Sequence, residues 1–326
     1  MTTSSSYNWT LNRDEAMLMA LQEINVLGVQ DTTATLAASN DYSFVIKKLN
    51  GMLKMWSIDE IKVSKRKQAF LFPALLSHQY GLGSASGSSH CTNSYKSTTL
   101  SAAAASSATT LTLTSTTGMT AADNIGIVLT DGTRYWTTIV SVDSSTQVTI
   151  TAGLTSAAAS GNNVVTYTTK INRPLEVIYG TTLDLTSSNL TEVEVKAISH
   201  DEYLTQPVKS TVGRPNNMYY ARDMVGANPF YGTLSLFPEP QNTTTIIKLV
   251  YLDAIQDLDA STDDIELPQE WFYPVVFNLA AELAYSYGKF QELAMIQPKA
   301  DKMYQLLKDA SADDTALSFM IDNRGN

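Results

Sequence analysis

The sequence predicts an α+β protein in which a helical bundle, made of an N-terminal hairpin and C-terminal helices, joins a β-rich domain. Apolar residues recur at helical spacing near both ends of the chain, whereas the middle alternates β-branched and polar residues. A stretch rich in Ser, Thr, Ala and Gly, residues 97–169, interrupts that middle part and carries strand patterns of its own. It predicts an inserted, small all-β module.

Length and composition limit the possible classes of protein. A chain of 326 residues favours two domains, or one domain with an insertion, and 44% hydrophobic residues are enough for packed cores. The net charge of −10 argues against tight binding of nucleic acid, which depends on lysine and arginine neutralising phosphates. The single cysteine, Cys91, excludes an internal disulfide.

Residues 1–69 are predicted to form a helical hairpin. Asn12 followed by Glu15 has the pattern of a capping box, and Gly28 is the expected end of the first helix. The second helix has an amphipathic stripe, which consists of Val45, Leu49, Met52, Leu53 and Trp56. Two such helices with a short connection should pack antiparallel.

Residues 41–67 have a local excess of positive charge, with seven basic residues against three acidic ones, a net charge of +4. Few aromatic residues lie among them, since only Phe44 and Trp56 are near and Trp56 belongs to the apolar stripe. This pattern favours a solvated helix face, or a patch for an acidic neighbour, over a DNA-binding surface.

The middle of the chain is predicted to consist of a host β-rich domain, residues 70–96 and 170–252, around the inserted module. Strand patterns inside the module cover residues 110–114, 125–129, 135–142 and 147–151. Asp131-Gly132 between two of these strands is a hairpin turn signal. The host strands are expected at residues 175–179, 192–197, 233–237 and 245–251.

Residues 253–326 are predicted to form C-terminal helices followed by a docking tail. Pro268 suits the first position of a helix, and Pro298 is expected to break or kink the next one. The first of these helices has a broad apolar face that includes Leu279 and Leu283. A short apolar segment, residues 316–321, follows the helices and should dock on another surface.

The search for chemical sites predicts no enzyme, cofactor or metal. The three histidines lack the spacing of a metal site, and no Gly-x-Ser-x-Gly motif accompanies His200 and Asp201. Ser199 to Glu202 instead has the pattern of a capped short helix. A calcium site in the acidic loop 257–266, or a carboxylate pair for a hydrolase at Glu192 and Glu194, stays a minor alternative.

Several short motifs occur in an order that resembles one family. The second helix has Leu49, Asn50, Met52, Leu53 and Trp56 in a Leu-Asn-x-Met-Leu-x-x-Trp pattern. Further matches are Tyr80 to Gly83, Arg173-Pro174, the segment 198–203, Gly213 to Pro215, the Gly-x-Leu-x-Leu-Phe-Pro-x-Pro run 232–240 and Leu267-Pro268. The chain resembles the podovirus-type head-to-tail adaptor proteins of tailed bacteriophages, also called tail accessory or DNA-stabilisation proteins.

The resemblance implies a structural connector subunit of the virion, assembled in the host cytoplasm and located at the junction of head and tail. Such subunits form a ring, usually of twelve copies, below the portal protein and receive the tail, nozzle or tail-fibre proteins. Genomic DNA leaves through the channel without specific binding, and no membrane is involved. A closed ring needs two different complementary faces on each subunit.

Two groups of residues are candidates for these contacts. The helix-packing and ring-interface candidates are Leu49, Leu53, Trp56, Leu279 and Leu283. The candidates for a portal-docking tail are Leu317, Phe319, Met320 and Ile321. The resemblance adds the role of the tail, because members of the family often use a terminal extension to hold the portal.

The inserted module leaves a second hypothesis open, because the smallest members of the family lack it. The protein could instead be a virion decoration protein, or a receptor-binding or glycan-binding protein that acts through the module. Exposed aromatic residues would favour this hypothesis, and the module offers only Tyr135, Trp136 and Tyr167.

Overall fold

The structure is a computed structural model that describes residues 9–58, 66–186, 191–226 and 229–311. The chain separates into two compact units. We call the first, Met1–Lys65 with Ile255–Asn326, the helical unit, and the second, Arg66–Ala254, the β unit.

The elements are numbered in chain order. The helices are α1 (Arg13–Glu23), α2 (Thr33–Ala37), α3 (Tyr42–Ile58), α4 (His200–Leu204), α5 (Phe272–Ser286) and α6 (Phe290–Ser311). The strands are β1 (Arg66–Leu71), β2 (Gln79–Leu82), β3 (Cys91–Thr92), β4 (Lys96–Thr99), β5 (Thr110–Thr112), β6 (Asn124–Val128), β7 (Arg134–Val142), β8 (Gln147–Ile150), β9 (Asn163–Tyr167), β10 (Glu176–Asp184), β11 (Glu192–Ala197), β12 (Val212–Gly213), β13 (Asn217–Val225), β14 (Tyr231–Phe237), β15 (Glu239–Pro240) and β16 (Thr245–Leu252).

Helix α1 begins as its sequence predicts but ends earlier. The Asn12 side chain accepts a hydrogen bond from the Glu15 amide at 2.9 Å, and the Glu15 carboxylate accepts one from the Asn12 amide at 3.2 Å, so the capping box is confirmed. The helix ends at Glu23 rather than at Gly28. Asn25 takes the left-handed conformation there, with φ of 53°, which asparagine tolerates better than most residues.

Aromatic contacts give the directions of the three long helices of the helical unit. Phe44, near the start of α3, lies 6.5 Å from Tyr287 in the turn between α5 and α6. Trp56, near the end of α3, lies 5.6 Å from Tyr304 in the middle of α6. Helices α3 and α6 therefore run in the same direction and α5 runs in the opposite one. Pro298 lies inside α6 without ending it.

The β unit contains a large sheet of eight strands in the order β2-β14-β13-β11-β10-β16-β1-β3. Adjacent strands in this sheet are antiparallel, except β11 and β13, which pair in parallel. Strand β1 begins at Arg66, within the segment predicted to be helical, and pairs with β16 along its whole length. A separate sheet consists of β12 and β15 only.

The inserted module is a six-stranded sheet in the order β4-β9-β6-β7-β8-β5. A bridge between Leu100 and Leu113 connects its two edges, so the sheet is nearly closed into a barrel. Gly132, with φ of 84°, makes the turn between β6 and β7 that the Asp-Gly pair predicts. The interior is filled by apolar side chains, among them Leu111, Ile125, Ile127, Val148 and Val164.

The predicted fold class is wrong. The protein is mainly β: its described residues form three sheets, of which one is nearly a barrel, with 32% of residues in strands against 26% in helices. The helical bundle does not dominate, because the long helices belong to the helical unit alone and α4 of the β unit has only five residues. Strong helical periodicity at both ends of the sequence favours a larger helical share than the protein has, because it says nothing about how many strands the middle of the chain forms.

Candidate interaction surfaces

The five residues predicted for helix packing and the ring interface lie inside the helical unit. Leu49, Leu279 and Leu283 are fully buried, and Leu53 and Trp56 are 1% and 6% exposed. All five belong to one core that combines residues of α1, α3, α5 and α6. Their side chains therefore contact other helices of the same chain. The four residues predicted for the portal-docking tail, Leu317, Phe319, Met320 and Ile321, lie outside the described residues.

Asn50 is a polar residue within the apolar pattern of α3, and its side chain binds the backbone of Leu258. Its Oδ1 accepts a hydrogen bond from the amide of Leu258 at 3.0 Å, and its Nδ2 donates to the carbonyl of the same residue at 3.4 Å. The neighbouring Lys54 donates to the carbonyl of Ile255 at 2.6 Å. Helix α3 thus holds the chain that leads into the C-terminal helices.

A buried polar network fixes the start of α1. Arg13 and Asp14 form an ion pair at 2.9 Å with side chains only 4% and 7% exposed. The guanidinium also donates to the carbonyl of Asp259, and Tyr42 donates to the Asp14 carboxylate at 2.8 Å. Burial, followed by the bond to Asp14, raises the pKa of Tyr42. The network holds α1, α3 and the acidic loop together.

The excess of basic residues at 41–67 is partly neutralised by acidic partners in the same unit of the chain. Lys48 pairs with Glu282 at 3.7 Å and Lys54 pairs with Asp257 at 3.0 Å. In the β unit, Lys67 pairs with Asp253 at 2.9 Å. The side chains of the other basic residues are either exposed, as for Lys47, or outside the described ranges, as for residues 62 and 65.

Two helix faces of the helical unit expose large apolar side chains. On α3, Phe44 is 40% exposed and Met55 is 65% exposed. On α6, Phe290, Met295 and Leu306 are 62%, 80% and 57% exposed. Exposed large apolar side chains on a helix face are candidates for contact with another protein.

An open groove of about 590 Å³ lies between α3 and α6, with α5 at its base. Its lining includes apolar and polar side chains: Lys48, Met52, Trp56, Asn278, Ala281, Glu282, Tyr285, Leu293 and Gln297. Trp56 is thus the predicted interface residue that also reaches this groove. Tyr285, another lining residue, is 71% exposed.

In the β unit, an aromatic cluster joins the module to the large sheet. The rings of His90 and Trp136 are stacked, with centroids 3.7 Å apart, and Phe72 packs edge-on against Trp136 at 5.5 Å. His90 Nδ1 shares a hydrogen bond with the Tyr167 hydroxyl at 2.6 Å. Burial, and then the positive charges of Lys170 and Arg134, lower the pKa of His90 to about 3.

Arg134, beside this cluster, makes hydrogen bonds to both the host domain and the module. Its Nη2 donates to the carbonyl of Thr243 in the host domain at 2.6 Å and to Asn163 in the module at 3.2 Å. Thr243 in turn donates to the carbonyl of Gly132 at 2.8 Å. Burial lowers the pKa of Arg134 to about 10. The module is therefore fixed to the host domain by several contacts and is not merely tethered by its two connections.

The three aromatic residues of the module pack mainly against other residues of the same chain. Tyr167 is 3% exposed, Trp136 is half-buried in the cluster, and Tyr135 packs against the module's own core. The exposed aromatic platform that a glycan-binding role would need is thus not formed by these three residues.

Several of the carboxylates considered for chemistry have structural partners. Glu192 pairs with Lys248 at 2.9 Å and accepts a hydrogen bond from Thr181, and Ser199 and Glu202 form the capping box of α4. Asp263 in the acidic loop accepts a hydrogen bond from the amide of Ala260 at 2.7 Å. Among the described residues, no three His, Cys, Asp or Glu side chains come together as metal ligands.

Glycines of the motifs in the β unit make room for tyrosines. A methyl group at Gly232 would lie 2.2 Å from the hydroxyl oxygen of Tyr220, which donates to the carbonyl of Pro174 at 2.7 Å. A methyl group at Gly81 would lie 2.6 Å from the ring of Tyr231. These motif positions are therefore explained by packing within the sheet.

Comparisons with known proteins do not identify a family. No protein-family model matches the chain, and no curated protein sequence matches it. Within the part of the chain that the structure describes, no helix is both long enough and apolar enough to cross a membrane.

The structural roles of Arg134 and His90 could not be predicted from the sequence, because their partners are far away in the chain. The exposed face of α3 did have a signal. Gly51 lies in the middle of a strongly helical pattern, where a glycine needs an explanation.

Proposed function

We propose that this protein is a structural subunit that assembles into a ring with copies of itself at the head-to-tail junction of a tailed bacteriophage. The observation that carries the proposal is the pair of exposed apolar faces on α3 and α6, where Met55 and Met295 are 65% and 80% exposed. A closed ring requires two different faces on each subunit, and one compact unit offers both.

The charge of the chain supports a position along a DNA channel. A net charge of −10 repels the phosphate backbone, so DNA can pass without being held. Two lysines of the basic stretch, Lys48 and Lys54, support the same view, because each is paired with a carboxylate.

The portal protein is the proposed partner of the C-terminal tail. Leu317, Phe319, Met320 and Ile321 give an apolar segment shortly after the end of α6 at Ser311. An apolar peptide at the end of a chain is stabilised when it enters a groove on another protein. The opposite side of the ring would receive tail, nozzle or tail-fibre proteins.

The second hypothesis, a decoration protein or a receptor-binding or glycan-binding protein acting through the module, has less support. Trp136 and Tyr167 contribute to the cluster that fixes the module to the sheet. These aromatic side chains are therefore not free to form a ligand-binding platform.

Co-sedimentation with purified portal rings tests the proposal. We expect the full chain to sediment with the portal and Phe319→Ser to lose most of this binding, because a polar side chain weakens apolar docking. Asn323→Ser in the same tail is the matched control and should bind like the wild type. Equal binding by Phe319→Ser would contradict the role of the tail, and a wild-type chain that never sediments with the portal would contradict the proposed function.

A further inference from the structure

The groove between α3 and α6 is large enough to hold a short stretch of peptide. Its volume of about 590 Å³ falls within the range of roughly 300–1,000 Å³ that is typical of ligand pockets. Met52 and Trp56 of α3 and Leu293 of α6 contribute apolar side chains to its lining, which also includes the ion pair between Lys48 and Glu282. A short apolar peptide therefore suits both the size and the chemistry of the groove.

An apolar segment of the same chain is within reach of this groove. Helix α6 ends at Ser311, about 21 Å along the helix axis from Gln297 in the groove lining. Phe319 comes eight residues after Ser311, and eight extended residues span roughly 26 Å. The connection after α6 is therefore long enough for the segment 317–321 to turn back and enter the groove.

Attachment to the same chain favours this occupant over a peptide that arrives from solution. A segment joined to its site by a short connection has an effective concentration on the order of millimolar, provided that the connection spans the distance. A portal protein or a second copy would have to supply its own apolar segment at a comparable concentration to compete. The length of the connection thus selects the segment of the same chain.

The charges of the groove helices and of the segment are opposite. Helix α3 contributes +3 from its three lysines and has no carboxylate, α5 contributes −1 and α6 is neutral overall, which gives the three helices a net charge of +2. Residues 312–323, which include the apolar segment, have three aspartates and no lysine or arginine. Opposite charges favour contact between the segment and these helices.

We propose that Leu317, Phe319, Met320 and Ile321 occupy the groove between α3 and α6 of their own chain before the subunit meets a portal ring. The contact is favourable because it removes apolar side chains from water. It goes beyond the proposed function and does not rest on it, because it belongs to the unassembled chain. Binding of the same segment to a portal protein then requires the segment to leave the groove.

Disulfide formation within the purified full-length chain tests this contact. Gln297→Cys places a thiol at an exposed residue of the groove lining, and Ser318→Cys places one in the segment without changing its four apolar side chains. The native Cys91 is buried and should not react. Without portal, we expect this pair to form an intramolecular disulfide about tenfold faster or more than Ala34→Cys with Ser318→Cys, because Ala34 is an exposed residue of α2 outside the groove.

Two further measurements separate the chain's own groove from that of another copy. The rate should not depend on protein concentration, and Phe319→Ser in the Gln297→Cys, Ser318→Cys chain should slow it about tenfold or more, because it weakens apolar docking. Equal rates for the two cysteine pairs, a rate unchanged by Phe319→Ser, or disulfides formed only between copies would overturn the inference. Co-sedimentation of the wild type with portal rings is a separate measurement, so either proposal fails without the other.

Discussion

The imidazole ring of His90 lies flat on the indole ring of Trp136, with centroids 3.7 Å apart and planes inclined by 4°. His90 belongs to the host domain of the β unit and Trp136 to β7 of the module. The stack therefore connects the two parts, and Arg134 adds hydrogen bonds beside it. Since the module is fixed in place, we expect changes in this cluster to affect the stability of the whole β unit.

Acid should destabilise the β unit through His90. The folded state holds the pKa of His90 at about 3, mainly by burial, whereas the ordinary value is 6.5. As pH falls from 6.5 towards 3, the unfolded state therefore binds more protons than the folded state, and the free energy of unfolding decreases. Urea unfolding at several pH values in this window should show a wild-type midpoint that falls with acid.

A variant separates the pH dependence of stability that is due to His90 from the part that is due to carboxylates. His90→Asn keeps a polar partner for the Tyr167 hydroxyl but has no imidazole to protonate. Its midpoint should fall less steeply with acid than that of the wild type, and His200→Asn, outside the cluster, is the matched control. Equal slopes for His90→Asn and the wild type would show that His90 does not contribute.

Gly126→Ala should destabilise the β unit by about 1–3 kcal/mol. A methyl group at Gly126 would come within 2.7 Å of ring atoms of Trp136, so the indole would have to leave its place on His90. The free energy of unfolding from urea denaturation measures the effect. A variant as stable as the wild type would mean that the stack can shift without loss.

Gly51→Ala should have the opposite effect and serves as the counterpart of Gly126→Ala. Because a methyl group at Gly51 meets open space, alanine should stabilise the folded chain by about 1 kcal/mol through its higher helix propensity. Thermal unfolding of the unassembled chain would detect this gain. A loss of stability would show that Gly51 has a role inside the subunit, contrary to our interpretation.

Asn50→Ala should loosen the segment that enters the C-terminal helices. The change leaves the amide of Leu258 without its acceptor at 3.0 Å, which costs about 1–3 kcal/mol. Hydrogen exchange of the Leu258 amide should become faster. Asn50→Asp keeps an acceptor oxygen at this position and should retain slow exchange, so fast exchange in both variants would point to a different source of protection.

Local patterns predicted local structure well. The capping boxes at Asn12–Glu15 and Ser199–Glu202 formed as expected, because each depends on residues three positions apart. The stripe of α3 is equally local, and its buried residues are those that the periodicity selected. Asp131-Gly132 made its turn for the same reason.

Long-range relationships could not be predicted from the sequence. Strand β1 begins at Arg66 in a basic segment without clear alternation, and it is a strand because it pairs with residues 247–252 of β16. An amphipathic stripe also does not tell which surface covers it. Leu279 and Leu283 were candidates for helix packing or for a ring interface, and they pack in the core of the helical unit.

Negative-stain electron microscopy of the purified chain mixed with portal rings tests the central claim most directly. The account predicts closed rings of the chain seated on one end of the portal, with density absent from portal rings alone. It would be contradicted by portal rings without added density together with a chain that stays monomeric at every concentration and salt condition tested.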